Sequence, residues 1–102
     1  MSPCLDSVRS FDLPLEPSST VFVPEGSRLL GLTVVRPAYL GGRVERAVFY
    51  AQTPQAGYEV SWRFRLVREG ESFDDWERPW RPLGLLTVQD VTYAAFLLGS
   101  EP

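Results

Sequence analysis

The stretch Tyr58-Glu-Val-Ser-Trp-Arg-Phe-Arg-Leu66 decides the fold of this chain. Large apolar residues occupy every second position, and the residues between them are polar or charged. Side chains of a β-strand alternate between its two faces, so this order gives one apolar face and one wet, mostly cationic face. On a helix the same apolar residues would scatter around the axis. Burying five such side chains contributes about 8–15 kcal/mol before entropy is subtracted. The stretch therefore predicts the central strand of a small antiparallel β-protein.

Length and composition indicate one globular domain. The 102 residues suffice for a single core, and a content of 44% hydrophobic and 13% aromatic residues is typical of a folded protein. Within 1–102 we expect a loosely attached segment at 1–19 with a possible edge strand, a β core at 20–98 and a long surface loop at 69–82. The predicted fold class is all-β, a single small antiparallel sandwich or partly open barrel of about six or seven strands.

Further strands are predicted from short apolar runs bounded by turn residues. They cover Ser7–Leu13, Thr20–Val23, Arg28–Val35, Arg43–Ala51, Leu83–Val88 and Val91–Leu98. Arg28–Val35 carries apolar side chains on both faces, which indicates a strand covered on both sides. Gly31 within it marks either a bulge or a close contact with a neighbouring ring. For Arg43–Ala51 and Val91–Leu98 a short helix is the alternative to a strand.

Several classes of function are excluded by missing residue types. The net charge of −3 argues against general binding to nucleic acid or to anionic membranes. The chain has no histidine, so Ser–His–Asp and Cys–His nucleophile pairs and His-bearing zinc sites are excluded. Cys4 is the single cysteine, which excludes an internal disulfide and four-thiolate metal sites. We therefore expect no enzymatic activity, no cofactor and no metal.

The chain also lacks signals for membranes or secretion. Its first residues have neither the basic start nor the apolar core of a secretion signal. The longest apolar run, Tyr93–Leu98, is far too short for a membrane span. The expected location is the cytoplasm.

The first candidate binding surface is the loop at 69–82. This loop combines aromatic and acidic residues with two Arg-Pro steps and has no strand or helix period. Tryptophan and arginine are enriched among the residues that dominate protein interfaces. The predicted partner-binding residues are Phe73, Asp74, Asp75, Trp76, Trp80 and Arg81. The alternative is that the two tryptophans fold back and cap an open edge of the core.

The second candidate is the cationic face of the central strand. Arginines at alternate positions can hold a phosphate or a carboxylate through two hydrogen bonds each. The candidate residues for a small anionic ligand are Arg63, Arg65, Arg68, Trp62 and Tyr58, with Trp80 as a further ring. The alternative is cross-strand pairing of the arginines with Glu45 or Glu59.

A series of motifs resembles a known family. In order, they are Val21-Phe-Val-Pro-Glu-Gly-Ser-Arg-Leu-Leu30, Ala47-Val-Phe-Tyr50, Arg63-Phe-Arg-Leu-Val67, Pro82-Leu-Gly-Leu-Leu-Thr-Val88 and Tyr93-Ala-Ala-Phe96. Over residues 20–98 this order is similar to a family of small, functionally uncharacterised β-rich proteins of bacteriophages and prophages. That family has Gly-Thr-Gly where this chain has Arg68-Glu-Gly70, and histidine where it has Ala94 or Ala95. The resemblance implies a compact β-fold and a phage or prophage origin, and it carries over no catalytic residue.

Three hypotheses of function follow. The first is an accessory protein that binds a host or phage protein through the loop, for example to inhibit a host process. The second is an oligomeric sponge that sequesters a small anionic ligand such as a nucleotide signal, and the third is a virion surface or assembly protein. For a phage-encoded chain the expected location is the host cytoplasm or the virion. Open sheet edges make a homo-oligomer the expected state under all three.

Overall fold

The computed structural model describes residues 7–36, 45–55, 58–72 and 78–98. These residues form strands and no helix, which confirms the all-β prediction. The strands are β1 (Ser7–Leu13), β2 (Ser18–Pro24), β3 (Arg28–Val35), β4 (Arg46–Thr53), β5 (Glu59–Arg68), β6 (Trp80–Val88) and β7 (Val91–Leu98). The strand assignment is therefore confirmed for both segments in which a helix was the alternative.

The strands form two antiparallel sheets that are not closed into a barrel. A three-stranded sheet has the order β1-β4-β3, and a four-stranded sheet has the order β2-β5-β7-β6. The predicted central strand, β5, lies inside the larger sheet between β2 and β7. The segment that we expected to be loosely attached supplies β1, which pairs with β4 from Ser7 to Leu13 as an edge strand.

The core between the sheets is built around Phe49 of β4, which is fully buried. Its ring stacks on Phe11 of β1 at a centroid distance of 5.1 Å. It also contacts two rings of β5, Trp62 at 5.9 Å and Phe64 at 4.9 Å. Ring pairs in such geometries add about 0.5–1.5 kcal/mol each beyond the burial of their area. Phe49 therefore joins the two sheets through direct aromatic contacts.

Alternation along β5 follows the sequence pattern. Trp62, Phe64 and Leu66 are buried, whereas Ser61 and Arg63 are exposed. β4 is nevertheless the more deeply buried strand, with five of its eight residues in the buried class.

The expectation that β3 is covered on both sides was wrong. β3 is an edge strand with no residue in the buried class, and Leu30 is 54% exposed. A bulge between Leu29 and Gly31 shifts the register, so that Leu29 and Leu32 both pack against the core. Of the two roles proposed for Gly31 the bulge is correct, because a Cβ atom there would meet nothing within 4 Å. The bulge explains why apolar residues occur at both parities of this strand.

The loop predicted at 69–82 is shorter than expected. β6 begins at Trp80 rather than at Leu83, even though Pro82 lies within it. Proline is tolerated there because β6 is an edge strand, and an edge strand does not need every backbone N–H to hydrogen-bond with a neighbouring strand. A second bulge lies between Pro82 and Gly84, and Gly84 has a φ of 135°, a region that favours glycine. This bulge turns Leu83 toward the core and leaves Leu85 on the opposite face.

The turn between β6 and β7 is tied to the other sheet by Glu45. Gln89 and Asp90 both have positive φ, 51° and 70°, as a two-residue turn of type I′ requires. The Glu45 carboxylate accepts a hydrogen bond from the Gln89 N–H at 2.6 Å and pairs with Arg36 Nε at 2.8 Å. Since Glu45 directly precedes β4, one carboxylate connects the smaller sheet to the hairpin of the larger one.

Candidate protein-binding surface

The outer face of the four-stranded sheet, which points away from the core, carries a continuous group of apolar side chains. Cross-strand register defines it: Val67 lies opposite Ala94, which lies opposite Leu85. One row along, Phe96 lies opposite Pro82, and the next row pairs Leu98 with Trp80. We call this group the outer-face patch, which consists of Val67, Trp80, Pro82, Leu85, Ala94, Phe96 and Leu98. It covers three neighbouring strands, β5, β7 and β6.

The outer-face patch is open to solvent. Leu85 is 74% exposed and Pro82 is also exposed, while the other members are half-buried. Single exposed apolar residues are common on protein surfaces, but a contiguous group on one face is typical of an interaction site. Among the described residues, the patch is therefore the strongest candidate for an interaction surface.

A depression of about 450 Å³ lies at one end of the patch. Its apolar floor is formed by Val67, Leu85 and Ala94, and its polar rim includes Arg68, Glu69 and Glu71. The turn after β5 shapes this rim, because the Glu71 N–H donates to the Arg68 carbonyl oxygen at 2.9 Å and the Glu71 carboxylate accepts from the Arg68 N–H at 3.1 Å. Gly70, at a φ of 91°, allows the tight turn. An apolar floor with a small number of charged groups at its edge suits an amphipathic side chain of another protein.

The two ends of the larger sheet's outer face differ in charge. Arg63 and Arg65 of β5 lie on this face, with Arg65 directly opposite Phe96 of the patch. Glu69 and Glu71 lie at the other end, around the depression. The patch is thus flanked by cations on one side and by carboxylates on the other, an asymmetry that would orient a charged partner.

The candidate loop residues are divided by the structure. Trp80 lies in β6 within the patch, half-buried, and Arg81 follows it as an exposed residue of the same strand. Phe73, Asp74, Asp75 and Trp76 lie outside the described residues. Trp80 lies on the outer face of a strand and not on a loop, and its role in binding stays a prediction.

The candidate residues for an anionic ligand are not brought together. Arg63 and Arg65 share the outer face, but Trp62 points into the core and is only 7% exposed. Tyr58 precedes β5 and is 81% exposed, and Arg68 ends the strand beside Glu71. Strand alternation is the reason, because residues of even and odd number face opposite sides of β5.

Arg68 also borders a second depression, of about 140 Å³, together with Glu16, Leu66 and Tyr93. Carboxylates of Glu16 and Glu71 line this hollow, so an anion entering it would meet negative charge as well as the arginine. The alternative pairing of the arginines with Glu45 fails for a different reason. Glu45 binds Arg36 and the Gln89 N–H instead.

Sequence reasoning missed most of the outer-face patch. The sequence predicts that Leu85, Ala94 and Phe96 lie on strands, but it indicates no functional role for them. A signal was present, since every residue of Tyr93–Leu98 is apolar and such a strand must have two apolar faces. In a two-layer fold only one of those faces can pack on the core. The other face must therefore be exposed to solvent or covered by another protein.

The described residues offer neither a metal site nor a membrane-spanning helix. In the described part of the chain there is no group of three or more His, Cys, Asp or Glu residues placed to hold a metal ion. The same part of the chain contains no helix with the length and apolarity needed to cross a membrane.

Comparison with known proteins gave no relative: no family model, no curated protein and no solved structure matches this chain.

Proposed function

We propose that this protein is a non-enzymatic binding module that captures another protein on the outer-face patch. The single observation that carries the proposal is the exposed apolar surface formed by three strands, whose most exposed member is Leu85 at 74%. Because its motifs resemble those of a phage family, the partner is a host or phage protein and the chain is a phage-type accessory protein.

The chemistry of the surface defines the partner's complementary face. Leu85 and Val67 form a shallow apolar floor, which accepts an aliphatic or aromatic side chain. Trp80 lies two rows away on β6, and tryptophan is the residue type most often found at energetic hot spots. The partner presents an acidic group toward Arg63 and Arg65, and a basic one toward Glu69 and Glu71.

The test compares two charge-introducing variants, Leu85→Glu and Val8→Glu. Both replaced residues are exposed apolar side chains on strands, at 74% and 65%, so neither substitution removes a core contact. Val8 lies on β1, in the other sheet, and is the matched control. Each tagged protein is used to capture proteins from the producing bacterium, and captured species are identified by mass spectrometry and re-measured with purified partner by calorimetry.

We expect one partner to be retained by the wild type and by Val8→Glu and to be lost by Leu85→Glu. A buried unpaired carboxylate at a hot spot costs about 2–4 kcal/mol, which weakens binding by roughly thirtyfold to a thousandfold. Equal unfolding midpoints for the two variants would show that the loss is local. Retention of the same partner by Leu85→Glu would refute the role of the patch.

A second function, capture of a small anionic ligand, is favoured by one observation. Arg63 and Arg65 lie on the same face, and Arg65 is directly opposite the ring of Phe96. Thermal unfolding with a panel of nucleotides would measure it, because a ligand at a hundredfold excess over its dissociation constant adds about 2.7 kcal/mol. No shift with any nucleotide would eliminate this function, while loss of a shift in Arg63→Ala would assign it to these arginines.

A further inference from the structure

The four edge strands of the two sheets are not equally protected against pairing. β1 carries Arg9 and Asp12, β3 has a bulge, and β6 has both a bulge and Pro82. Charges, bulges and prolines are the devices by which proteins keep edge strands from pairing with other chains. β2 has none of these within Ser18–Val23, and its proline is the last residue of the strand.

The hydrogen bonds that flank β2 show which of its residues face the free edge. The Leu66 N–H donates to the Pro17 carbonyl oxygen at 3.1 Å, and the Glu25 N–H donates to the Tyr58 carbonyl oxygen at 2.6 Å. Both bonds continue the β2–β5 register, so the odd-numbered residues of β2 point their backbone groups toward β5.

The even-numbered residues therefore point outward. Among the described residues, no hydrogen bond reaches the backbone N–H or C=O groups of Ser18, Thr20 or Phe22. Their side chains are exposed as well, and Phe22 is 61% exposed. With respect to the described part of the chain, the outer edge of β2 is thus a row of three donors and three acceptors with no charge and no proline between them.

We propose that a second copy of this chain pairs with this edge, strand β2 against strand β2, antiparallel and about a two-fold axis at Val21. In this register Thr20 of each copy lies opposite Phe22 of the other, and Ser18 lies opposite Pro24. The N–H and C=O groups of Thr20 and Phe22 in the two copies then bond each other, which gives about four backbone hydrogen bonds. The ladder ends at the pair of Ser18 and Pro24, because proline has no N–H and its carbonyl oxygen already accepts from the N–H and the hydroxyl of Ser27, at 3.1 and 2.6 Å.

Self-pairing fits this strand better than pairing with a charged peptide. Because β2 has no ionisable side chain, two copies meet without like-charge repulsion. The inward-facing Val21 residues meet at the axis on the core side, and each Phe22 ring lies beside a threonine, a favourable pair of aromatic and β-branched side chains on the outer face. A two-fold axis normal to the sheet keeps both outer faces on the same side, so the dimer has one continuous eight-stranded sheet.

This pairing does not rest on the proposed function and is tested without a partner. Sedimentation equilibrium of the wild type is expected to give twice the chain mass of 11.5 kDa at high concentration. Thr20→Pro removes an outward N–H and leaves the β2–β5 bonds intact, and it is expected to raise the dimer dissociation constant about a hundredfold. Thr20→Val retains the N–H and is the control, which should dimerise like the wild type. A wild type that is monomeric at all concentrations, or a dimer unaffected by Thr20→Pro, would overturn the proposal.

Cross-linking tests the register and does not depend on how Thr20→Pro folds. In a Cys4→Ser background, Val21→Cys places two thiols at the axis, in a pair whose Cα atoms are about 4.5 Å apart. This variant is expected to form a disulfide-linked dimer on mild oxidation. Ser19→Cys places its two thiols four residues out of register and is expected to stay unlinked. Equal linkage of both variants, or of neither, would contradict the pairing.

Discussion

Truncation of Phe49 to alanine tests whether the two sheets are held together through one ring. Phe49 is fully buried and contacts Phe11, Trp62 and Phe64 at centroid distances of 4.9–5.9 Å. Removal of a buried phenylalanine ring costs about 3–5 kcal/mol through lost transfer energy and the remaining cavity. Because three aromatic neighbours lose their partner at once, we expect a loss of about 4–5 kcal/mol. A domain of this size has roughly 5–15 kcal/mol in total, so the variant should be close to unfolding.

The assay is urea denaturation followed by circular dichroism, with Tyr50→Ala as the matched control. Tyr50 is the next residue of the same strand, lies on the opposite face and is 38% exposed. With a slope of about 1–1.5 kcal/mol/M, Phe49→Ala should lower the urea midpoint by about 3–5 M, whereas Tyr50→Ala should lower it by less than about 1 M. If Phe49→Ala does not fold, Phe49→Leu gives a measurable loss of about 2 kcal/mol. A loss below about 1.5 kcal/mol for the alanine variant, or equal losses at both positions, would refute the central role of this ring.

Two further predictions concern the Glu45 carboxylate and the two bulge glycines. Glu45→Ala should lower the free energy of unfolding by about 1–2 kcal/mol, because the Gln89 N–H loses a charged acceptor, whereas the pair with the exposed Arg36 contributes little. Glu45→Gln keeps an acceptor oxygen and should lower the free energy of unfolding by roughly half as much. Equal losses for the two variants would assign the effect to the charge and not to the hydrogen bond. Gly84→Ala should lower the free energy of unfolding by about 1–2 kcal/mol, because the φ of 135° at this position strains any other residue. Gly31→Ala should change the free energy of unfolding by less than about 0.5 kcal/mol, because Gly31 has no such φ and no atom lies within 4 Å of the new Cβ. Chemical denaturation of the four variants measures both, and a larger loss at Gly31 than at Gly84 would contradict the second.

The elements with unbroken periodicity could be predicted from the sequence, and the bulges set the limit of that reasoning. Residue alternation predicts β5 and its buried face, and the bounds of β1 and β7 agree with the predicted short strands. A bulge adds one residue and reverses the alternation beyond it, so Leu30 and Leu85 face solvent while Leu29 and Leu83 face the core. Glycine at 31 and at 84 marks both places, but a glycine in a sequence does not reveal on which side of it the register shifts.

The candidate site was predictable only in part. Arg63 and Arg65 lie on the outer face, as strand alternation requires. By the same rule Trp62 faces the core, so it does not belong in one binding site with these arginines. The outer-face patch could not be derived, because it exists only through the register of three strands. Val67 and Leu85 are far apart in the sequence and meet only because β7 lies between their strands.

The strand order has a consequence for how the chain is made. β1 pairs with β4 and β2 pairs with β5, so neither of the first two strands has a partner until much of the later chain exists. At a synthesis rate of about 5–20 residues per second, Thr20–Val23 leaves the ribosome several seconds before its partner strand. The hairpin of β6 and β7 closes in microseconds once made, but it comes last. The nascent protein therefore exposes the unpaired strand β2 to other chains until β5 has been made. The yield of folded protein in a cell should then depend on what covers β2 during this interval.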